Sequence, residues 1–149
     1  MRTYLLDTNI VSYLADPSSP FHERVAQAIR SLPDESQLAV SLLTLYELAY
    51  GYARDPGHSR LLAILREAGV GVLAPSEPGA AIFAQLKNAY RLRFGARERE
   101  LVRHNVDLIL ASTAISEGAV LVSNDAIFNT LAEIDPRLVV ENWAEKGAP

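Results

Sequence analysis

Four acidic side chains stand where apolar runs break off. They are Asp7 after Tyr4-Leu5-Leu6, Glu47 ahead of Leu48-Ala49-Tyr50-Gly51, Asp107 between Val106 and Leu108-Ile109, and Asp125 after Val120-Leu121-Val122-Ser123-Asn124. Carboxylates at the ends of buried strands and the starts of helices are costly to desolvate unless something neutralises them. For several carboxylates together the usual neutraliser is a hard divalent cation, and the usual chemistry is phosphodiester hydrolysis. Oxygen ligands alone suit Mg²⁺, with Mn²⁺ a plausible substitute. With no cysteine in the chain, thiolate metal sites and disulfides are excluded, and His22, His58 and His104 lack the spacing of a zinc site.

Each acid also has a structural reading. Glu47 follows Thr44 by three residues, the pattern of a capping box. Asp107 falls in a first helical turn after Asn105, where a negative charge favours the positive end of the helix dipole. Asp125 fits turn chemistry or a helix cap, and Asp7 fits a cap for the segment after it. No single acid decides between the readings; the four taken together, in their flanking strings, favour chemistry.

The elements that must position these groups alternate. Residues 3–6 read as a short, continuously apolar strand, buried on both faces. Ser19 and Pro20 suit the cap and first position of a helix, with Phe21, Val25, Ala28, Ile29 and Leu32 recurring at helical spacing. Residues 38–41 make a second strand and 44–52 a helix, broken at Arg54-Asp55-Pro56-Gly57 and resumed over 59–67. A third strand over 70–73 leads to a long helix over 78–94 that ends at Gly95. An arginine-rich connection, a helix over 106–117, a strand over 120–123, a short helix over 126–132 and a strand over 137–141 follow. Strands separated by helices imply an α/β fold, a three-layer α/β/α arrangement with a central parallel sheet of four to five strands. Ligands of such sheets bind at the carboxyl ends of the strands, where the strand order reverses. If the first and fourth strands are neighbours, Asp7 and Asp125 sit side by side there.

The 149 residues suit one domain over 1–149, long enough to bury roughly 70% of the surface of the unfolded chain. No apolar stretch approaches a membrane span of about 20 residues, and Met1-Arg2-Thr3-Tyr4-Leu5-Leu6-Asp7 meets a charge too early for a secretory signal. A cytoplasmic location fits these features and the missing cysteines. The net charge of −4 is unusual for a nucleic-acid binder. With the four junction acids set aside, however, the remaining acids balance the 14 lysines and arginines. Six of those 14 cations, Lys87, Arg91, Arg93, Arg97, Arg99 and Arg103, fall within 17 residues, opposed only by Glu98 and Glu100. They form either a solvated helix face or a phosphate-contacting one.

The strings around the acids resemble those of the PIN-domain nucleases, most closely the VapC-type toxins. Asp7-Thr8-Asn9 after an apolar strand matches the family's opening motif, and Glu47-Leu48-Ala49-Tyr50-Gly51 its second. Asp107-Leu108-Ile109-Leu110-Ala111-Ser112-Thr113-Ala114 resembles the third, with Leu110 and Ser112 substituted. Leu121-Val122-Ser123-Asn124-Asp125-Ala126-Ile127-Phe128 resembles the fourth, where Ser123 replaces a common Thr and keeps its hydroxyl for a metal-bound water or a neighbouring carboxylate. The resemblance covers nearly the whole chain and implies a PIN-like fold. It implies Asp7, Glu47, Asp107 and Asp125 as the acidic metal site of an endoribonuclease that leaves 5′-phosphate and 3′-hydroxyl ends. Asp7, Asp107 and Asp125 are expected nearest the metal, with Glu47 completing the shell or orienting water. The same resemblance implies single-stranded RNA as substrate, a homodimer, and a small antitoxin partner. The Arg91 to Arg103 run, with Tyr90 and Phe94 for stacking or for core packing beside Phe83 and Leu86, is the candidate RNA contact. Leu42, Leu43, Leu45, Tyr46 and Tyr50 are available for an interface.

Other phosphate chemistries fit less well. A haloacid-dehalogenase-type phosphatase needs a second Asp where this chain has Asn9. That fold and a phospho-acceptor receiver both need a late Lys, yet only Lys87 and Lys146 exist. No Gly-rich phosphate loop, Gly-x-Ser-x-Gly elbow or His-Glu-x-x-His is present. The alternatives that remain are an RNA-processing nuclease outside toxin systems and a non-catalytic metal- or RNA-binding module of the same fold.

Overall fold

The computed structural model describes residues 1–55 and 59–146. Five parallel strands, β1 (Thr3–Leu6), β2 (Gln37–Ser41), β3 (Gly71–Leu73), β4 (Val120–Val122) and β5 (Val140–Glu141), form one sheet in the order β3-β2-β1-β4-β5. The helices are α1 (Thr8–Ala15), α2 (His22–Arg30), α3 (Leu42–Arg54), α4 (Ser59–Glu67), α5 (Glu77–Phe94), α6 (Glu98–Leu101), α7 (Asn105–Glu117) and α8 (Ala126–Ile134). The expected α/β architecture is present, with five strands.

The period-two geometry of a strand explains why β1 is apolar throughout. Leu5 points to one face, where it joins Ala39, Leu121 and the inner sides of α5, α7 and α8, including Leu86, Leu108, Ala111, Phe128 and Leu131. Tyr4 and Leu6 point to the other, where Val40, Val120 and Val122 meet Ile10 and Val11 of α1, Val25 and Ala28 of α2, Leu65 of α4, and Trp143. The sheet thus separates two cores, and Trp143, fully buried against Tyr4, seals the second with its Nε1 donating to Glu141 Oε2 at 2.8 Å.

β1 and β4 are neighbours, with Leu6 opposite Val122. From β1 the chain passes through α1 and α2 to β2 on one side; from β4 it passes through α8 to β5 on the other. The strand order therefore reverses between β1 and β4, and the crevice at their carboxyl ends lies there.

Several sequence-based boundaries shift. Helix α1 was not expected; it starts directly after β1 because Asp7 caps it. Ser19 Oγ does accept a backbone hydrogen bond, from Phe21 N at 3.2 Å, but that bond shapes a turn and α2 begins only at His22. α3 begins at Leu42, capped by Ser41, whose Oγ accepts from Leu43 N at 3.1 Å. The Thr44–Glu47 capping box is thereby ruled out, since Thr44 already lies inside the helix. The arginine-rich connection folds as α6 and a 3-10 turn, Val102–His104, running into α7. β5 is shorter than expected because Asp135 Oδ1 accepts from Arg137 N at 3.0 Å, folding that residue into a turn. The expected helix break at Pro56-Gly57, and His58, lie outside the described residues.

Candidate active site

Asp7 is placed by the last rung of the sheet. Its N–H donates to Val122 O at 2.9 Å, so the β1–β4 ladder continues one residue past β1 and sets Asp7 against the end of β4. Its carboxylate caps α1, with Oδ1 accepting from Thr8 N at 2.7 Å. Oδ2 accepts from Ser123 Oγ at 2.7 Å, and that hydroxyl oxygen in turn accepts from Asp125 N at 3.0 Å. Ser123 is buried, so one hydroxyl joins the two loops that carry Asp7 and Asp125. Asp125 caps α8 through Oδ1, which accepts from Ile127 N at 3.1 Å. The capping readings of Asp7 and Asp125 thus hold alongside their place in the site. Asn124 turns away: its side chain donates to Tyr13 OH at 3.2 Å and accepts from Asn142 at 2.8 Å, fastening α1 and the C-terminal segment to this loop.

Glu47 comes from the second turn of α3. Its Oε2 accepts from Thr8 Oγ1 at 2.6 Å, and Thr8 Oγ1 lies 3.1 Å from the hydroxyl of buried Thr44. Its side chain therefore reaches across to α1 instead of back to its own helix start. Asp107, in the first turn of α7 as expected, is faced by His104 Nδ1 at 3.6 Å. The other ring nitrogen, Nε2, accepts from Arg103 Nε at 3.3 Å, which leaves the imidazole proton on Nδ1, toward Asp107.

All four acids line one cleft of about 220 Å³, together with Thr8, Asn9, Ser41, Leu43, Thr44, Val106 and Leu110. Burial pushes the Asp7 carboxyl above its ordinary value, the hydrogen bonds from Ser123 and Thr8 oppose this, and the charges of Asp107 and Glu47 add to it. Burial also raises Asp107, helped by the Asp125 and Glu47 charges and opposed by His104. The acids thus feel one another's charge. The donor set suits a hard cation: four carboxylates, and the buried Asn9 Oδ1 that meets no donor among the described residues. Among the described residues no three acids or histidines are gathered closely enough to hold an ion as the side chains stand.

Sequence reasoning missed Thr8, Thr44, Asn9 and His104 as members of this neighbourhood. Thr8 and Asn9 were inside a quoted motif, but their partners are distant in sequence. His104 carried a signal, its position three residues before Asp107, which is one helical turn.

Comparison with known proteins identifies the family and the fold. The PIN-domain family model matches residues 4–134. The Rickettsia felis protein named ribonuclease VapC2 is 28% identical over 146 residues, covering 94% of this chain and 97% of its own length. A Haemophilus influenzae ribonuclease VapC2 is also 28% identical, over 148 residues, covering 96% and 99%. Among solved structures, VapBC2 from Rickettsia felis bound to a promoter DNA fragment superposes with a TM-score of 0.73 at 25% identity, covering 95% of this chain and 98% of the other. FitAB bound to a DNA fragment gives 0.73 at 26% identity, covering 96% of each chain. The matched span takes in both sheet faces and all four acids, and the chain belongs to the PIN-domain family.

Proposed function

We propose that this chain is a metal-dependent endoribonuclease and the toxin of a toxin–antitoxin pair. The observation that carries the reading is the convergence of Asp7, Glu47, Asp107 and Asp125, from four separate segments, on one cleft at the sheet's switch point. The names of the full-length relatives, ribonuclease VapC2, support RNA as the substrate. Solved structures of VapBC-type assemblies support an antitoxin partner.

The four carboxylates would hold Mg²⁺ or Mn²⁺, and the chemistry such an ion supplies is polarisation of a phosphodiester and acidification of water. The chain's own work is to hold the carboxylates at the cleft. Ser123 and the Thr8 amide hold both oxygens of Asp7, Thr8 Oγ1 holds Glu47, and His104 stands by Asp107. Asp7, Asp107 and Asp125 would ligate most directly, and Glu47 would orient the attacking water. Leu43, Val106 and Leu110 give the cleft its apolar lining. The exposed rings of Tyr46 and Tyr50, one turn apart on α3, offer apolar surface for an antitoxin segment or a second copy in a homodimer. Leu45 does not, because it packs into the second core.

The test is cleavage of single-stranded RNA by the purified chain with Mg²⁺ or Mn²⁺. Cleavage is expected, and it should vanish with EDTA and in Asp7→Asn. Persistence of cleavage in both controls would remove the metal-site reading. The toxin assignment is tested by induced expression in a bacterium: growth arrest by the parent and not by Asp7→Asn is expected, and equal growth of the two would count against it.

A further inference from the structure

Behind His104 lies a second hollow of about 250 Å³, lined by Tyr90, Phe94, Ala96, Glu100, Arg103 and His104. It forms where α5 ends. Gly95 adopts the left-handed conformation (φ 62°), which turns the chain so that α6 and the 3-10 turn come back beside the last turn of α5. Tyr90 and Phe94, one turn apart, place their rings 4.7 Å apart at 47°, and Tyr90 meets the His104 ring at 5.5 Å and 56°. The two aromatics divide in their roles. Tyr90 packs against the first core, whereas Phe94 is 52% exposed and joins neither core. Core packing explains Tyr90 but not Phe94, whose ring meets Tyr90 and, at 5.8 Å from its centroid, the Arg93 guanidinium carbon.

The hollow adjoins the acidic site across His104. His104 forms its wall and faces Asp107 Oδ2 on the other side, while Arg103 is anchored to the same ring through Nε. The rim is basic: Arg91, Arg97 and Arg99 are exposed and form no ion pair among the described residues, and Arg93 has only a 3.5 Å contact with Glu133. A half-exposed ring among exposed guanidinium groups, with His104 between it and the cleft proposed to hydrolyse phosphodiesters, matches the chemistry of an unpaired base carried on a polyanionic strand.

We propose that this hollow is a subsite for one unpaired RNA base next to the scissile phosphate. Phe94 supplies the stacking face, with Tyr90 behind it, and Arg103 and Glu100 supply a donor and an acceptor for the base edge. The subsite rests on the ribonuclease reading above and adds to it the residues that choose where the strand is cut.

The test first maps cut positions made by the parent chain in a random single-stranded RNA pool. An oligonucleotide spanning a mapped site is then bound to the uncleaving Asp7→Asn chain, followed by fluorescence anisotropy, with single bases near the cut replaced by abasic ribose. At one flanking position base removal is expected to weaken binding about 5- to 10-fold, the lower end of measured stacking effects. Phe94→Ala should cost a similar factor, and the two changes together should cost no more than either alone. Phe94→Leu keeps apolar bulk without the flat face and should behave like Phe94→Ala, while Phe94→Trp should keep the affinity. Additive losses, or full affinity in Phe94→Leu, overturn the subsite and leave the nuclease reading standing. A parent chain that neither binds nor cuts any RNA overturns both.

Discussion

Asp7 shows how one residue combines structural support with a place in the acidic cleft at the expense of stability. It caps α1, extends the β1–β4 ladder and carries a buried charge near two other carboxylates. Because its pKa is raised in the fold, the folded state holds the proton more tightly than the unfolded chain. The stability this contributes is fully present below the unfolded value of about 3.8 and is lost as pH rises through the raised folded value. Asp107 acts with the same sign. Asn caps a helix about as well as Asp. At neutral pH in EDTA, Asp7→Asn should therefore be at least as stable as the parent in urea denaturation, although inactive. Divalent ion should reverse the order. At an ion concentration 100 times Kd the parent gains about 2.7 kcal/mol, and the variant should gain far less; equal gains would show that Asp7 does not meet the ion. Ser123 makes a complementary case. Ser123→Ala strips the donor from Asp7 Oδ2 and the acceptor from Asp125 N, costing roughly 1.5–3 kcal/mol and weakening ion binding. Ser123→Thr keeps the hydroxyl and should restore both, as urea and ion titrations would read out.

At the scale of elements, the positions of helix ends set the geometry of the site. α7 must stop sharply so that β4 can enter the sheet beside β1, and Gly118 does this at φ 63°. A methyl group there would meet nothing within 4 Å, so the penalty is conformational alone. Gly118→Ala should cost about 1 kcal/mol, a lowered urea midpoint with unchanged slope. A loss above about 3 kcal/mol would mean that β4 shifts as well. The same scale shows why α1 and the start of α3 escaped sequence reading. α1 is eight residues long, too short for periodicity to stand out, and its cap is also a site acid. Ser41, reading as the end of a strand, is at once that end and the cap of α3. α5 and α7 were legible to within a residue because Gly95 and Gly118 mark their ends.

For the whole molecule, the net charge of −4 conceals a division. Four carboxylates face one cleft, and five exposed arginines run from the end of α5 through α6 toward α7. If Arg97 and Arg99 each neutralise one phosphate, replacing both with Gln should reduce the salt slope of RNA binding by about 1.4. The urea midpoint should stay put, because neither side chain is buried or forms an ion pair among the described residues. An unchanged slope would mark this face as solvated only.

The four acids that line the cleft were legible because their flanking strings are specific, and because Asp7, Asp107 and Asp125 sit at element junctions that hydrophobic patterning exposes; Glu47 lies within α3 and was marked by its string alone. The parallel sheet and its two buried faces followed from continuous apolar strands alternating with helices. What the chain by itself left open was every relation between distant segments. That β1 lies beside β4, that Thr8 holds Glu47 across 39 residues, and that Ser123 binds Asp7 across 116 depend on strand order and crossovers. Local propensity carries no information about such pairings. They are chosen by which packing buries both faces of the sheet while satisfying the polar groups at its edge, and only the folded chain expresses that choice.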